Sequence, residues 1–422
     1  MWRVYLSFLM LFKITLSNPT PKISVLQPYV DNPAVKLLQE YIQIDTSREE
    51  NIECAVNFWK RQAADLGLPF MVYRPSGKPI CVITWTGANP KLPSIILNSH
   101  IDVVPVDEQE WTYPPFSGYI DKNGNMYGRG TQDTKSVALH YLEAIRKLKE
   151  DNVTLQRTLH ITLMPDEETG GFNGMVPFVE TEEFRALNPG FIFDEGLSYP
   201  DGTLYATYQD KRAWQLNLTI HGAGGHGSSF PDGSAMQKVQ QLMDITTKFR
   251  EQQKQIMVSR DVNDFGSYTT INMNIIKGGV VPNIIPSRVT VVIDMRLAVT
   301  AEVHEVEALI QSWIAQVGNE TELSFIRKID VSEATILDDT NPYWVAVVDA
   351  VKEMDMKIMP IVCPATSDMV ILRNRGYPAI GFAYRPYTVP LLHAADEYLN
   401  VATFLKGIEV YAIILKKVGN IL

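Results

Sequence analysis

The chain is poor in cysteine. Its 422 residues contain three, Cys54, Cys81 and Cys363, and none stands in CxxC spacing with another. That odd, scattered set excludes a disulfide-built scaffold and a cysteine-ligated zinc site. One bridge is allowed in a secretory compartment, but three separate buried thiols are the simpler reading. Excess basic charge is also lacking: 38 Lys and Arg stand against 48 Asp and Glu, a formal net charge of −10. This balance argues against nucleic acid or an anionic membrane as the main partner. No apolar run approaches the ~20 residues that a membrane-spanning helix requires. Low-complexity tracts and internal repeats are absent as well.

The opening residues have a pattern of their own. Met1-Trp-Arg3 precedes an apolar run from Val4 to Phe12, and small residues stand near Ser17. This reads as a secretory signal peptide over 1–17, although Lys13 interrupts it. We therefore expect a secreted or secretory-pathway protein with no membrane span after signal removal, and a cytoplasmic one as the alternative. Sequons at Asn152, Asn217 and Asn319 decide little, since a chain of this size carries roughly two by chance.

The remainder is ordinary globular material, 45% hydrophobic and 20% charged, enough for about two or three domain-sized units. Helical spacing covers 34–44, 51–66 and 134–149, with strands at 80–86, 94–97, 158–164 and 190–193. This alternation implies βαβ units and a mostly parallel sheet flanked by helices. The pattern changes near Asp210. Strand 213–220, helix 234–250, strands 268–276 and 288–296, helix 301–317 and strand 322–327 follow in β-α-β-β-α-β order, a ferredoxin-like unit. Helix 342–354, strand 379–383 and helix 398–417 then resume the first pattern. The simplest organisation is one α/β domain over 23–209 and 329–422 with a smaller domain inserted at 210–328.

The chemistry-bearing residues stand at predicted strand ends. Asn98-Ser-His100-Ile-Asp102 follows the apolar run Ile95-Ile-Leu97; Asp166-Glu167-Glu168 follows the strand ending at Met164; Asp194-Glu195 follows Phe193; His393 follows Leu392; and Asp133 lies between a Gly-rich turn and a helix. In open α/β sheets, ligands bind outside the carboxyl ends of the strands. Two histidines and several carboxylates meeting at that edge suit zinc, with manganese or cobalt also within reach of such donors. Taken alone, His140 and His160 read as structural, and His226, in the Gly-rich stretch 222–229, reads as a surface-loop histidine.

Several stretches together resemble the M20 metallopeptidase family, and within it the aminoacylase branch. They are Ser99-His-Ile-Asp-Val-Val-Pro105, Gly128-Arg-Gly-Thr-Gln-Asp-Thr-Lys135, Pro165-Asp-Glu-Glu-Thr-Gly-Gly171, Asp194-Glu-Gly196, Gly225-His226, Gly278-Gly-Val-Val-Pro-Asn283, Asp294-Met-Arg296 and Leu392-His393. The resemblance implies a zinc-peptidase-type α/β domain carrying an inserted dimerisation, or lid, domain. It implies two zinc ions per subunit: His100, Glu195 and a bridging Asp133 for one, and His393, Glu168 and the same Asp133 for the other. Glu167 would be the general base and Asp102 would orient His100 through its second ring nitrogen. His226 would reach the active site of a second subunit in a homodimer and stabilise the developing oxyanion. Asn283 and Arg296 would bind substrate. Pro364-Ala-Thr-Ser-Asp368 and Arg373 resemble a pocket-lining segment, which implies a substrate contact for Arg373. The activity implied is hydrolysis of N-acyl-L-amino acids to a carboxylate and a free amino acid. The alternatives are a dipeptidase or carboxypeptidase of the same family, a fatty-acyl amino acid hydrolase and, further off, a catalytically dead binding protein.

Overall fold

A computed structural model describes residues 29–422, and the segment read as a signal peptide lies outside the described residues. Helices α1 (Pro33–Ile42) and α2 (Ile52–Asp65) come first. Asn32 starts α1 by accepting the Ala34 N–H, and Pro33 occupies the first helical position, where no N–H is needed. Strands β1 (Phe70–Tyr73), β2 (Ile80–Trp85), β3 (Ser94–His100), β4 (Tyr119–Ile120) and β5 (Asn125–Tyr127) lead to α3 (Lys135–Glu150). Strands β6 (Leu159–Met164), β7 (Pro189–Asp194) and β8 (Thr203–Asp210) follow it.

One residue after β8 the chain enters a second unit. It contains β9 (Arg212–His221), β10 (Gly225–His226), α4 (Ala235–Val258), β11 (Thr270–Gly278), β12 (Ile284–Ile285), β13 (Arg288–Leu297), α5 (Val303–Val317) and β14 (Glu322–Lys328). Its four long strands form an antiparallel sheet in the order β11-β13-β9-β14. Val289, Val291, Ile293 and Met295 of β13 alternate inward and pack with Leu242 of α4 and Trp313 of α5. Ser234 and Gln237 close a capping box at the start of α4. This helix runs past the end of its apolar periodicity to Val258. Residues 251–255, Glu-Gln-Gln-Lys-Gln, carry helix propensity but no apolar stripe.

The chain then returns through α6 (Pro342–Glu353), β15 (Lys357–Cys363), α7 (Asp368–Arg373), β16 (Ala379–Phe382), β17 (Tyr398–Asn400) and α8 (Val401–Val418). Eight strands make the large sheet, in the order β1-β2-β6-β3-β7-β16-β8-β15. The centre is parallel, with β3 between β6 and β7, and β7 beside β16. Strand β2 runs antiparallel to both its neighbours, and β8 antiparallel to β16, so the sheet is mixed around a parallel centre. Strands β1, β8 and β15 have no counterpart in the pattern read from sequence. The first and last are the sheet's edges, and β15 contains Pro360, which an edge strand tolerates.

Alternating side chains build a core on each face of this sheet. Ile95 and Leu97 pack with Leu139 of α3 and Phe404 of α8, whereas Ile96 packs with Met175 and Phe178 on the other side. His140 lies within the first layer, its Nε2 2.9 Å from the Phe404 carbonyl, and His160 pairs through Nδ1 with the Thr84 hydroxyl. Both are structural. The three cysteines are free. Cys81 and Cys363 are buried, but Cys54 is exposed on the outer face of α2, contrary to the expectation of three buried thiols. Among the described residues no helix is long and apolar enough to cross a membrane.

Candidate active site

Parallel neighbours align their carboxyl ends, so β3, β6 and β7 deliver their terminal residues to one edge. His100 is the last residue of β3, Asp194 the last of β7, and Glu167 and Glu168 stand three and four residues past the end of β6. Asp133 arrives from the loop before α3, and His393 from the loop between β16 and β17. The result is two groups that share one carboxylate: His100, Asp133 and Glu195 in one, and Asp133, Glu168 and His393 in the other. Within each group the ligating atoms lie within 4.8 Å of one another. His100 Nε2 is 3.1 Å from Asp133 Oδ1 and 3.6 Å from Glu195 Oε2. His393 Nε2 is 3.0 Å from both Asp133 Oδ2 and Glu168 Oε2.

These donors fit a divalent metal. Imidazole nitrogen and carboxylate oxygen in sets of three are the usual donors for catalytic zinc. Glu168 Oε1 is buried with no hydrogen-bond partner. The acids also crowd one another in a poorly hydrated space. Burial, and then the charge of Glu195, pushes Glu167 well above the usual carboxylate range. Burial and the charge of Asp133 do the same to Glu195. The histidines carry the compensation. Hydrogen bonds to Asp133 and Glu168 raise His393 to about 10. Burial opposes a charge on His100, but its bonds to Asp133 and Glu195 outweigh that and raise it too. Asp133 is likewise disfavoured by burial and held low by its bonds to the two imidazoles. A cation held between these groups would supply the same positive charge.

The site is held in place by residues that sequence reasoning passed over. Glu397, fully buried, accepts the main-chain N–H of Gln132 at 2.6 Å and of Asp133 at 3.1 Å, and pairs with Arg129 at 2.7 Å. Arg129 also donates to the His393 carbonyl at 3.1 Å. Gln132 donates to the Val389 and Tyr398 carbonyls and accepts the Leu391 N–H. The loop bearing Asp133 and the loop bearing His393 are thereby fastened to each other. Beneath them lies the buried guanidinium of Arg385, which donates to the Gly196 carbonyl at 2.6 Å. An acid four residues after His393 was the available signal for Glu397; nothing local marks Arg385.

Asp102 meets the second ring nitrogen of His100 through its main chain rather than its carboxylate. The ring of His100 is held through Nδ1 by the main-chain carbonyl of Asp102 at 2.7 Å, while the Asp102 carboxylate is 3.7 Å away. That carboxylate instead accepts the N–H groups of Glu167 at 3.3 Å and Glu168 at 3.2 Å. Burial pushes it up to about 6. Asp166, which sits at φ 70, fixes the other side of the same turn. It accepts from Lys78, Thr169 and the Asn173 N–H. The acidic triplet is thus a pinned turn rather than a solvated loop. Asp194 supports in the same way, accepting the Glu195 N–H at 2.7 Å and the Asn98 amide at 3.1 Å.

A cleft of about 250 Å³ opens over these groups. Asp133, Glu167, Glu168 and Glu195 line one side, and Arg296 and Arg327 of the inserted unit line the other. Leu197, Met369 and Leu392 give it an apolar portion. Arg296 pairs with Asp294 at 2.9 Å and donates to the Thr366 hydroxyl at 3.2 Å. Arg327 was missed from sequence. His226 and Asn283 do not line this cleft within the chain; both are exposed, on and beside the small β10–β12 ladder. Arg373 is a correction. It is buried, bonded to Asp210 at 3.0 Å, the Thr207 carbonyl at 2.8 Å and the Ala379 carbonyl at 2.9 Å. Its fork is spent on the fold and does not reach the substrate space.

An α/β sheet with paired His and carboxylate groups at its edge, a base candidate beside them and an inserted second unit defines a metal-dependent amide hydrolase. The comparisons agree. The model of peptidase family M20/M25/M40 matches residues 96–417. Aminoacylase-1 of Sus scrofa is 37% identical over 393 residues, covering 93% of this chain and 96% of that protein. Aminoacylase-1 of Dictyostelium discoideum is 33% identical over 403 residues, covering 92% and 98%. Among solved structures, an M20 family metallo-carboxypeptidase from Sulfolobus solfataricus has a TM-score of 0.74 at 18% identity, covering 92% of this chain and 99% of its own. Human carnosine dipeptidase 1 has 0.73 at 15% identity, covering 94% and 98%. These two likenesses speak for the fold alone. The chain belongs to the M20 peptidase family, and it is an amidohydrolase.

The reassignment of Arg373 has a direct check. Arg373→Met leaves Asp210 buried without its partner and should cost about 3–5 kcal/mol of stability in denaturant unfolding. The folded fraction should keep its KM; a raised KM at unchanged stability would restore a substrate contact.

Proposed function

We propose that this protein is a zinc-dependent aminoacylase that cleaves N-acyl-L-amino acids to a carboxylate and a free L-amino acid. The observation that carries the reading is Glu167. It lies beside both donor groups, belongs to neither, and lines the cleft with them. Two zinc ions, one in each group, would lower the pKa of a water molecule and polarise the amide carbonyl. Glu167 then takes the proton of the attacking water and passes it to the amine as the C–N bond breaks. Burial, and then the charge of Glu195, raises its proton affinity, which suits a base that must hold a proton between two steps. Glu168 ligates while Glu167 stays free, and the Asp102 carboxylate keeps the two in register through their N–H groups. The cationic wall, Arg296 and Arg327, suits the carboxylate of an amino acid.

The curated aminoacylase-1 relatives, at 33–37% identity over most of the chain, support acyl-amino acids. A dipeptidase or carboxypeptidase is the second reading, favoured by a putative carboxypeptidase of Saccharomyces cerevisiae that is 36% identical over 172 residues. Comparing hydrolysis of N-acetyl-L-methionine with dipeptides separates the two.

A homodimer through the inserted unit is part of the proposal. β11 is an edge strand of that unit's sheet. Ile276 at its end is 47% exposed, and Val280 and Ile284 beyond it are 92% and 52% exposed, apolar area that a second copy would cover. His226 and Asn283 stand on the same stretch, outside their own chain's cleft, where they could serve a neighbour's oxyanion and substrate. Entry into the secretory pathway is part of the proposal too, supported by the pattern of residues 1–17, with a cytoplasmic protein as the alternative.

Two experiments decide the chemistry. Glu167→Ala should retain its metal by elemental analysis and lose roughly 10²–10⁴-fold in turnover; unchanged turnover sinks the base assignment. His226→Ala and Asn283→Ala homodimers should each be nearly inactive, and mixing them with subunit exchange should return activity. Mixed dimers as inactive as their parents would show that His226 does not act across an interface.

A further inference from the structure

The turn that bears Glu167 is reached from the far edge of the large sheet. Strand β2 runs antiparallel to β6, with Thr84 opposite His160 and Cys81 opposite Leu163. The same register carried three residues further sets Lys78 opposite Asp166, just beyond the ends of both strands. The β1–β2 connection, residues 74–79, is therefore laid against the turn that follows β6. Its sequence, Arg-Pro-Ser-Gly-Lys-Pro, suits the task. Gly77 takes the positive φ, +96, that bends the hairpin, and Pro79 favours extended backbone at Lys78.

Two contacts result, one at each end of the segment 166–173. The Lys78 Nζ is 2.8 Å from Asp166 Oδ1, and the Ser76 hydroxyl donates to the Asn173 carbonyl at 2.6 Å. Asp166 is 6% exposed and Lys78 28%, so the ion pair is partly shielded from water. The other donors to the Asp166 carboxylate are neutral: the Thr169 hydroxyl at 2.8 Å, and the N–H and side-chain amide of Asn173 at 2.9 and 3.1 Å. Burial opposes the charge of Lys78, but its bond to Asp166 and the charges of Asp166, Glu49 and Asp102 outweigh that and raise its pKa. Asp166 and Asp102 are the two acids that fix the turn, one on each side. A single ammonium thus serves both.

We propose that Lys78 is a positioning residue for the reaction: through Asp166 it sets where Glu167 and Glu168 stand. This rests on the reading of Glu167 as the base. The two glutamates follow Asp166 directly and move with its main chain, so a rotation there displaces the base and a metal-donor carboxylate together. A misplacement of ~1 Å at a reacting group can cost roughly 10²-fold in rate. Residues that orient metal donors have effects of similar size on metal affinity. The edge hairpin, which touches neither the cleft nor the donor groups, is by this account part of the catalytic apparatus.

The test uses the zinc-loaded full chain. Lys78→Met should lower kcat for N-acetyl-L-methionine roughly tenfold or more and leave KM within about twofold. Lys78→Arg, which can pair with the same carboxylate, should recover most of the loss. Asp166→Asn should cost much less in the Lys78→Met background than in wild type, because both changes break one contact. Two readouts do not depend on turnover. Zinc should pass from Lys78→Met to a competing chelator at roughly tenfold lower chelator concentration. Hydrogen exchange should quicken in 165–173 and stay unchanged elsewhere. A folded Lys78→Met protein with wild-type kcat overturns the proposal, as does a loss of equal size in Lys78→Arg. A lowered melting temperature with wild-type kcat makes Lys78 a stabilising residue and overturns it too. If Glu167→Ala keeps its turnover, the base reading alone fails. Hydrogen exchange then decides for Lys78: quickening confined to 165–173 upholds the positioning role, and an unchanged turn overturns it.

Discussion

Asp133 is the residue on which the site turns. One carboxylate pairs through its two oxygens with two histidines, His100 at 3.1 Å and His393 at 3.0 Å, that are nearly 300 residues apart in sequence. Neither donor group exists without it. Its own position depends on Glu397, whose carboxylate collects the N–H groups of Gln132 and Asp133 and the guanidinium of Arg129. These bonds join the loop after β5 to the loop before β17. A domain interrupted by more than a hundred inserted residues is thus closed at the place where its chemistry lies. Main-chain capture by a buried carboxylate, together with a charge-assisted pair, is a strong way to do this.

The second constraint is electrostatic. Glu167, Glu168, Glu195, Asp102, Asp194 and Asp368 all lie close to one another and are largely withdrawn from water. The pinned turn resolves which does what. Asp166 and Asp102 hold the turn from either side, one by side-chain and main-chain donors around it, the other by the N–H groups of the two glutamates. Consecutive residues on such a turn point apart, so Glu168 reaches His393 while Glu167 faces the cleft. The scaffold therefore separates ligand from base without any difference in side-chain chemistry.

Much of this was legible in the sequence, for a definite reason. Buried parallel strands read as unbroken apolar runs, so the polar residues that interrupt them at His100, Asp166 and Asp194 stand out. The inserted unit was legible through its change of periodicity. What escaped has equally physical causes. β15 hides behind Pro360 because only an edge can hold it, and the end of α4 has no apolar stripe to reveal it. Asp102 was read as the residue that orients His100, but that its carbonyl rather than its carboxylate makes the closer contact depends on the local backbone path. Arg373 was misplaced and Arg327 missed because both depend on where a chain crosses, not on local pattern. Arg373 meets Asp210 across the sheet, and Arg327 is turned into the cleft by one extra residue in β14. His226 and Asn283 carried a meaning only in the resemblance, since a single chain leaves both outside the cleft.

The central claim is that the two groups sharing Asp133 are a metal centre that hydrolyses amides. Zinc content measured alongside hydrolysis of N-acetyl-L-methionine, before and after chelation, tests it most directly. The account predicts about two zinc ions per chain, activity abolished by the chelator and restored by zinc. A purified, folded protein that binds no divalent metal, or one whose hydrolysis survives complete metal removal, would contradict it.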